Sequence, residues 1–307
     1  MKKKLCVLCA LLMVASVAVF AAGCGDSGSS SNNAAGPGAE SSSSEGDAFE
    51  GGGTASADDS LNELQKKGQL VLGCDDEFPP MGFRDATGNL TGFDIELAQA
   101  VADRLGVELI AKPIDWSTKE MELTSGNIDV IWNGYSITED RNKQVEFTKP
   151  YLANEQLLVV KASSDIQTKG DLSGKIVGVQ SESAALELLA ADTDFEGTLG
   201  EVREYGDYQD ALLDLKSSSR IDAVGVDKIL IEYVMLQEPG TYRILDESLG
   251  SEYFGIGLRQ GSVSLREAID NVLDEMQKDG TTDAICEKWF TENIVIRDVP
   301  KLTASDF

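Results

Sequence analysis

The sequence contains no histidine. That absence removes serine–histidine–aspartate and cysteine–histidine catalysis, together with every zinc site that relies on imidazole. Bond-making chemistry would have to run on carboxylates or lysines. Cysteine is also short: of five, Cys6, Cys9 and Cys24 lie near the amino terminus, leaving Cys74 and Cys286. One such pair in an exported chain allows a disulfide, while the helix-like run Asp283 to Phe290 suits Cys286 equally as a buried thiol. Positive charge is the third shortage. Lys and Arg number 26 against 53 acids, a net charge of -27. A field of that sign repels nucleic acid and anionic lipid headgroups, so no nucleic-acid partner is expected; it also keeps an exported protein soluble.

Long apolar runs are confined to the start. Lys2-Lys3-Lys4 followed by Leu5 to Phe20 has the charged head and apolar middle of a secretory signal, and is too short and one-sided for a stable membrane span. Ala21-Ala22-Gly23-Cys24 resembles a bacterial lipobox, although Ala21 stands where leucine is commoner. On that reading residues 1–23 are a signal peptide and Cys24 is the lipidated first residue of the mature chain. Removing the three lysines of the signal moves the charge from -27 to -30. Residues 24–60 are Ser, Gly, Ala, Asn and acid with almost no large apolar side chain, a composition that cannot bury enough surface to fold. Anchor and disordered tether together would hold a soluble, monomeric domain at the extracytoplasmic face of the cell membrane, touching it through lipid alone.

The remainder alternates short apolar strands with amphipathic helices. Gln69 to Gly73 reads as a strand, Phe93 to Leu105 as a helix with one apolar side, Val107 to Ala111 as a strand, Lys119 to Ser125 as a short helix and Ile128 to Trp132 as a strand. A βαβαβ start predicts a parallel or mixed sheet with right-handed crossovers. The pattern then restarts, with strands at Gln156 to Lys161, Lys175 to Gln180 and Ile221 to Val226, and helices at Ala184 to Ala191 and Asp207 to Ser217. Polar clusters sit at the carboxyl ends of these strands, where open α/β sheets collect their ligands.

The most telling of those ends is Ile128 to Arg141, IDVIWNGYSITEDR. The apolar run breaks at Asn133-Gly134, passes Ser136 and Thr138, and reaches an arginine one turn into a helix start. Hydroxyls, turn N–H groups and a guanidinium fork are the parts of a carboxylate clamp. The same residues also permit a surface Arg141 paired with Glu139 or Asp140.

Taken in order, the segments VLGCDDEFPPMGFRD, TGFDIELAQAVADRLG, SGNIDVIWNGYSITEDRNKQVEFTKPY, LSGKIVGVQSES, RIDAVGVD and EKWF give residues 64–290 a resemblance to the extracellular solute-binding proteins of family 3, the polar amino acid receptors of ATP-binding-cassette importers. The resemblance implies a periplasmic-binding-protein-like type II α/β fold. Two lobes, residues 61–155 with 251–307 and residues 156–250, would be joined by two crossover strands around a ligand cleft. It further implies Asp75, Phe78 and Trp116 as the acid and aromatic walls. Arg141, Ser136 and Gly134 would meet the ligand carboxylate, with Asn133 beside them; Ser183 and Ala184 would add second-lobe contacts, and Asp227 would pair with the α-ammonium. Asp227 also suits a cap for the next helix.

Departures from the family pattern leave the side-chain preference open among neutral polar, sulfur-containing and basic amino acids. Glu182 stands where glycine is frequent and could face the cleft or water; Asp75, Asp76 and Glu77 could dock a basic head group. No cofactor, metal or catalytic residue is implied. The alternative on the same fold is a secreted cyclic-acid dehydratase with Glu182 or Glu77 as general acid.

Overall fold

The computed structural model describes residues 58–290, 293–303 and 306. The signal segment, Cys24 and nearly all of the tether lie outside them. Helix α1 (Ser60–Lys67) ends at Gly68, whose positive φ of 72° turns the chain into β1 (Gln69–Cys74). Strands β2 (Glu77–Phe78), β3 (Gly82–Arg84) and β4 (Leu90–Thr91) form a small antiparallel sheet. Helix α2 (Phe93–Leu105) buries Phe93, Leu97, Ala98, Val101 and Ala102 along one stripe. The first run ends with β5 (Glu108–Pro113), α3 (Lys119–Thr124), β6 (Val130–Ile131), α4 (Glu139–Gln144) and β7 (Val145–Phe147).

The second run comprises β8 (Leu152–Lys161), β9 (Ile176–Gln180), α5 (Ala184–Ala191), α6 (Thr193–Glu196), β10 (Glu201–Tyr205), α7 (Tyr208–Ser217), β11 (Ala223–Asp227), α8 (Lys228–Gln237) and β12 (Tyr242–Phe254). The chain then returns through β13 (Gly257–Arg259), α9 (Val263–Asp279) and α10 (Thr281–Trp289).

Two five-stranded sheets result. The first runs β5-β1-β6-β13-β7, with β1 parallel to β5 and β6 and the returning β13 antiparallel to its neighbours. The second runs β10-β9-β11-β8-β12, with β9 parallel to β10 and β11. Each sheet defines a lobe. The passage between lobes is itself paired: β8 and β12 run antiparallel from Leu152↔Phe254 through Asn154↔Glu252 to Gln156↔Gly250, with register shifts between Ile244 and Gly250. Val130, Ile131, Val224 and Val226 are wholly buried, as expected for strands covered on both faces.

The strand expected over Ile128 to Trp132 shrinks to two residues. Asp129 explains this, because its carboxylate accepts the Val71 N–H at 2.7 Å and pairs with Lys67 at 2.7 Å, replacing a backbone rung. Cys74 and Cys286 are separate buried thiols, not a disulfide. Burial pushes the Cys74 thiol up to about 12, so it stays protonated and unreactive.

Candidate ligand-binding site

The ends of β1, β6, β9 and β11 converge between the lobes. From the first lobe Phe78, Trp116, Gly134, Ser136 and Arg141 line one cavity; from the second come Gln180, Ser183, Ala184, Tyr208 and Asp227. Eight of the ten residues singled out from sequence are therefore brought together. Its volume of about 10 Å³ is space for roughly one water. Entry of anything larger requires the lobes to part.

Arg141 is 4% exposed, which excludes the surface alternative. Thr138 caps α4 by accepting the Arg141 N–H, and this aims the side chain inward while Lys143 takes Glu139 and Asp140. Arg141 Nη1 donates to the Ser136 carbonyl at 3.2 Å; Nη2 crosses to the second lobe, donating to the Glu182 carbonyl at 2.8 Å and pairing with Glu187 at 2.7 Å. Burial works against its charge, but Glu187 and the more distant Tyr135, Glu120 and Glu252 outweigh it and hold the guanidinium above its ordinary value. Glu182 has φ of 55°, the left-handed region that accounts for glycine being frequent there. This turn directs its carbonyl at the cations while its side chain stays in water.

A second cation was not foreseen. Lys119, 1% exposed at the start of α3, donates to the same Glu182 carbonyl at 3.2 Å and stands 5.2 Å from the Trp116 ring. Burial and then Arg141 push its ammonium down to about 8.

Gly134 has φ of 57°, and a Cβ there would come within 3.1 Å of Phe78 and 3.2 Å of Phe254. Its N–H is not offered to a ligand as the clamp reading expected. It is donated at 2.8 Å to Asp94 at the head of α2, which also accepts the Tyr151 hydroxyl at 2.8 Å. Burial pushes the Asp94 carboxyl up to about 7 against those bonds.

Two sequence-selected residues do not line the cavity. Asn133 is 1% exposed, directed at Gly82, with no partner for its amide. Asp75 stands behind the lining: it accepts Gln180 Nε2 from the other lobe at 2.7 Å, and burial pushes it up to about 6. Asp76 is committed to Arg84 at 2.5 Å.

Ser183 Oγ caps α5 by accepting the Leu186 N–H. Asp227 makes no such cap. Its carboxyl accepts Asn154 Nδ2 at 2.9 Å and Gln156 Nε2 at 2.7 Å, and burial followed by nearby Glu252 raises it well above the carboxylate range. Tyr208, the first residue of α7, was missed. Its ring packs 5.8 Å from Phe78 across the cleft, and its buried hydroxyl, set near Ser183 and Asp227, completes no hydrogen bond.

Two α/β lobes with opposed charges in a shared cavity define a cleft-type solute receptor. Residues 70–292 match the family model for bacterial extracellular solute-binding proteins, family 3, and the chain belongs to that family. It is 36% identical over 236 residues to the L-cystine-binding protein TcyJ of Escherichia coli, covering 76% of this chain and 87% of that one. It resembles a histidine-bound substrate-binding protein of an ABC uptake transporter from Streptococcus pneumoniae with a TM-score of 0.75 and 36% identity, over 78% of this chain and 99% of that one. It also resembles the ancestral amino acid-binding protein AncCDT-1, a precursor of cyclohexadienyl dehydratase, with a TM-score of 0.67 and 32% identity, over 75% and 99% of the two chains. The type II periplasmic-binding-protein architecture follows from these likenesses and the paired sheets.

Proposed function

We propose that the protein captures an L-amino acid in this cleft and delivers it to the membrane subunits of an ATP-binding-cassette importer. The observation that carries the reading is one buried cation and one buried acid, Arg141 and Asp227, on opposite lobes of the same cavity. A zwitterion needs both, and a charge left unpaired in a closed site costs several kcal/mol. Arg141 would hold the α-carboxylate and Asp227 the α-ammonium, with Phe78 and Trp116 as walls and Tyr208 as a further donor. A polar ligand fits best, cystine and basic amino acids included, in line with the names of the relatives.

Residues 61–155 with 251–307 would move as one lobe and 156–250 as the other, hinged on the paired strands β8 and β12. In this reading a signal peptide (1–23) directs export and is removed, and a lipid on Cys24 keeps a monomer at the outer face of the membrane. No cofactor is needed. Likeness to a dehydratase precursor raises a second, enzymatic reading, but Glu77 and Glu182, its candidate acids, face solvent and do not line the cavity. Turnover of prephenate-like acids would establish it.

The amino acid reading is tested by titration calorimetry after a thermal-shift panel of the twenty amino acids plus cystine and ornithine. Asp227→Ala should weaken binding by at least about 2 kcal/mol, roughly thirtyfold, because it leaves a ligand ammonium unpaired. Glu182→Ala, which alters an exposed side chain, should cost far less. Equal affinities for wild type and Asp227→Ala would sink the assignment.

A further inference from the structure

Behind Asp227 lies an arrangement that ligand pairing alone does not explain. Asn154 Nδ2 donates to Asp227 Oδ1 at 2.9 Å and to Glu252 Oε1 at 2.6 Å. Gln156 Nε2 donates to the same two oxygens, both at 2.7 Å. Two carboxyl oxygens thus share two amide nitrogens, which sets the two carboxyl groups side by side. Asn154 and Glu252 are cross-strand partners in β8 and β12, so the cluster is built into the hinge itself.

The surrounding charges do not neutralise it. Tyr208 from α7 offers only a phenol, the amides of β8 are neutral, and Glu155 and Lys228 pair with one another at 3.3 Å. Arg141 is committed to Glu187 and acts on Glu252 from a distance. Among the described residues neither Asp227 nor Glu252 has an ion-pair partner. Asp227 is buried and the half-buried Glu252 adjoins it, so two negative charges here would repel, and a proton on Asp227 relieves the repulsion.

We propose that Asp227, with the Glu252 carboxylate beside it, holds a proton in the ligand-free cleft and that an arriving α-ammonium drives it out, which makes Glu252 a determinant of ligand affinity. The inference rests on Asp227 being the ammonium site. In the step, the O–H bond of the Asp227 carboxyl breaks and the proton passes to a buffer base; ammonium N–H groups replace it as donors to Asp227. The sign follows from linkage. A bound cation lowers the proton affinity of Asp227, so by reciprocity affinity rises with pH, by up to about tenfold per unit while one proton leaves per ligand, and levels off once Asp227 is ionised.

The test is titration calorimetry of the whole protein with L-cystine, L-arginine and L-glutamine between about pH 5 and 7, where the ligand's own ammonium stays charged. Each titration is run in two buffers of different ionisation enthalpy. Wild type should show a binding enthalpy that depends on the buffer, reporting proton release. In Glu252→Gln the release should move to lower pH, because a neutral neighbour no longer holds the proton on Asp227. Binding without proton release in wild type overturns the inference and leaves the amino acid reading standing. An unchanged release profile in Glu252→Gln overturns the role of Glu252. Failure of every amino acid in the thermal-shift panel to bind removes the amino acid reading and this inference with it.

Discussion

Glu187 should act as a built-in rival of the ligand carboxylate, and its removal should tighten binding. Arg141 carries five N–H donors, and either fork it can present to a carboxylate uses one of the two on Nη2. Nη2 already donates to the Glu182 carbonyl at 2.8 Å and stands 2.7 Å from Glu187 in an ion pair. A ligand carboxylate gains a full fork only by displacing one of them, and the Glu187 side chain, 39% exposed, is the one able to swing away. At an effective dielectric of about 20, two unit charges at this range attract by roughly 4 kcal/mol. Exposure of Glu187 reduces that to about 1 kcal/mol after screening and side-chain entropy. Glu187→Ala should therefore raise amino acid affinity about fivefold. Alanine is the best helix former, so α5 should not suffer. Titration calorimetry at low salt is the assay, with the thermal midpoint of the ligand-free protein as control. Weaker or unchanged binding in Glu187→Ala would refute the competition argument.

Three further outcomes follow from buried groups. Asp94 has a folded value of about 7 against 3.8 ordinarily, so the fold keeps a proton the unfolded chain has lost, and stability falls as pH rises between those values. Asp94→Asn cannot titrate, and its stability relative to wild type should climb by up to about 4 kcal/mol between pH 4 and 8 in urea unfolding. Lys119 runs the opposite way, from 10.5 ordinarily down to about 8. Wild type should gain on Lys119→Met by up to about 3 kcal/mol from pH 8 to 10.5, and a flat difference would mean that Lys119 is not buried as a cation. Of the three tryptophans, Trp116 alone lines the cavity. Trp116→Phe should abolish any ligand-induced fluorescence change that Trp289→Phe preserves, as read by stopped-flow emission.

Regular elements were legible where one face decides them. The stripe Leu97, Ala98, Val101, Ala102 fixed α2 to the residue, and Thr138 announced α4 by its capping chemistry. The edge strand β10, EVREY, was not foreseen because its side chains alternate charge with partial burial and carry no apolar run. Arg141, Ser136 and Asp227 were legible because strand ends and charge type mark them. Tyr208, Gln180 and Lys119 were not, since each gains its meaning from the opposite lobe: Phe78 for Tyr208, Asp75 for Gln180, the Glu182 carbonyl for Lys119. Asp94 stands in the first turn of α2, where acids are common, and its bond to Gly134 spans forty residues of sequence.

The same cross-lobe contacts bear on how such a cleft can be selective. A ligand closes two lobes only through what it adds to the closed state over the open one. Here Asp75 to Gln180, Arg141 to Glu182 and Glu187, and Lys119 to Glu182 already join the lobes through protein groups. Closure therefore does not depend on the ligand for all of its free energy. What the ligand contributes is the surplus of its own bonds over those it displaces. A molecule with a carboxylate but no ammonium would take Arg141 from Glu187 and leave Asp227 unmatched, a loss on both sides. On the proposed reading an α-amino acid would displace one carboxylate and supply the cation that Asp227 lacks, so rejection of simple acids would follow from the protein's own clasp as much as from contacts to the correct ligand.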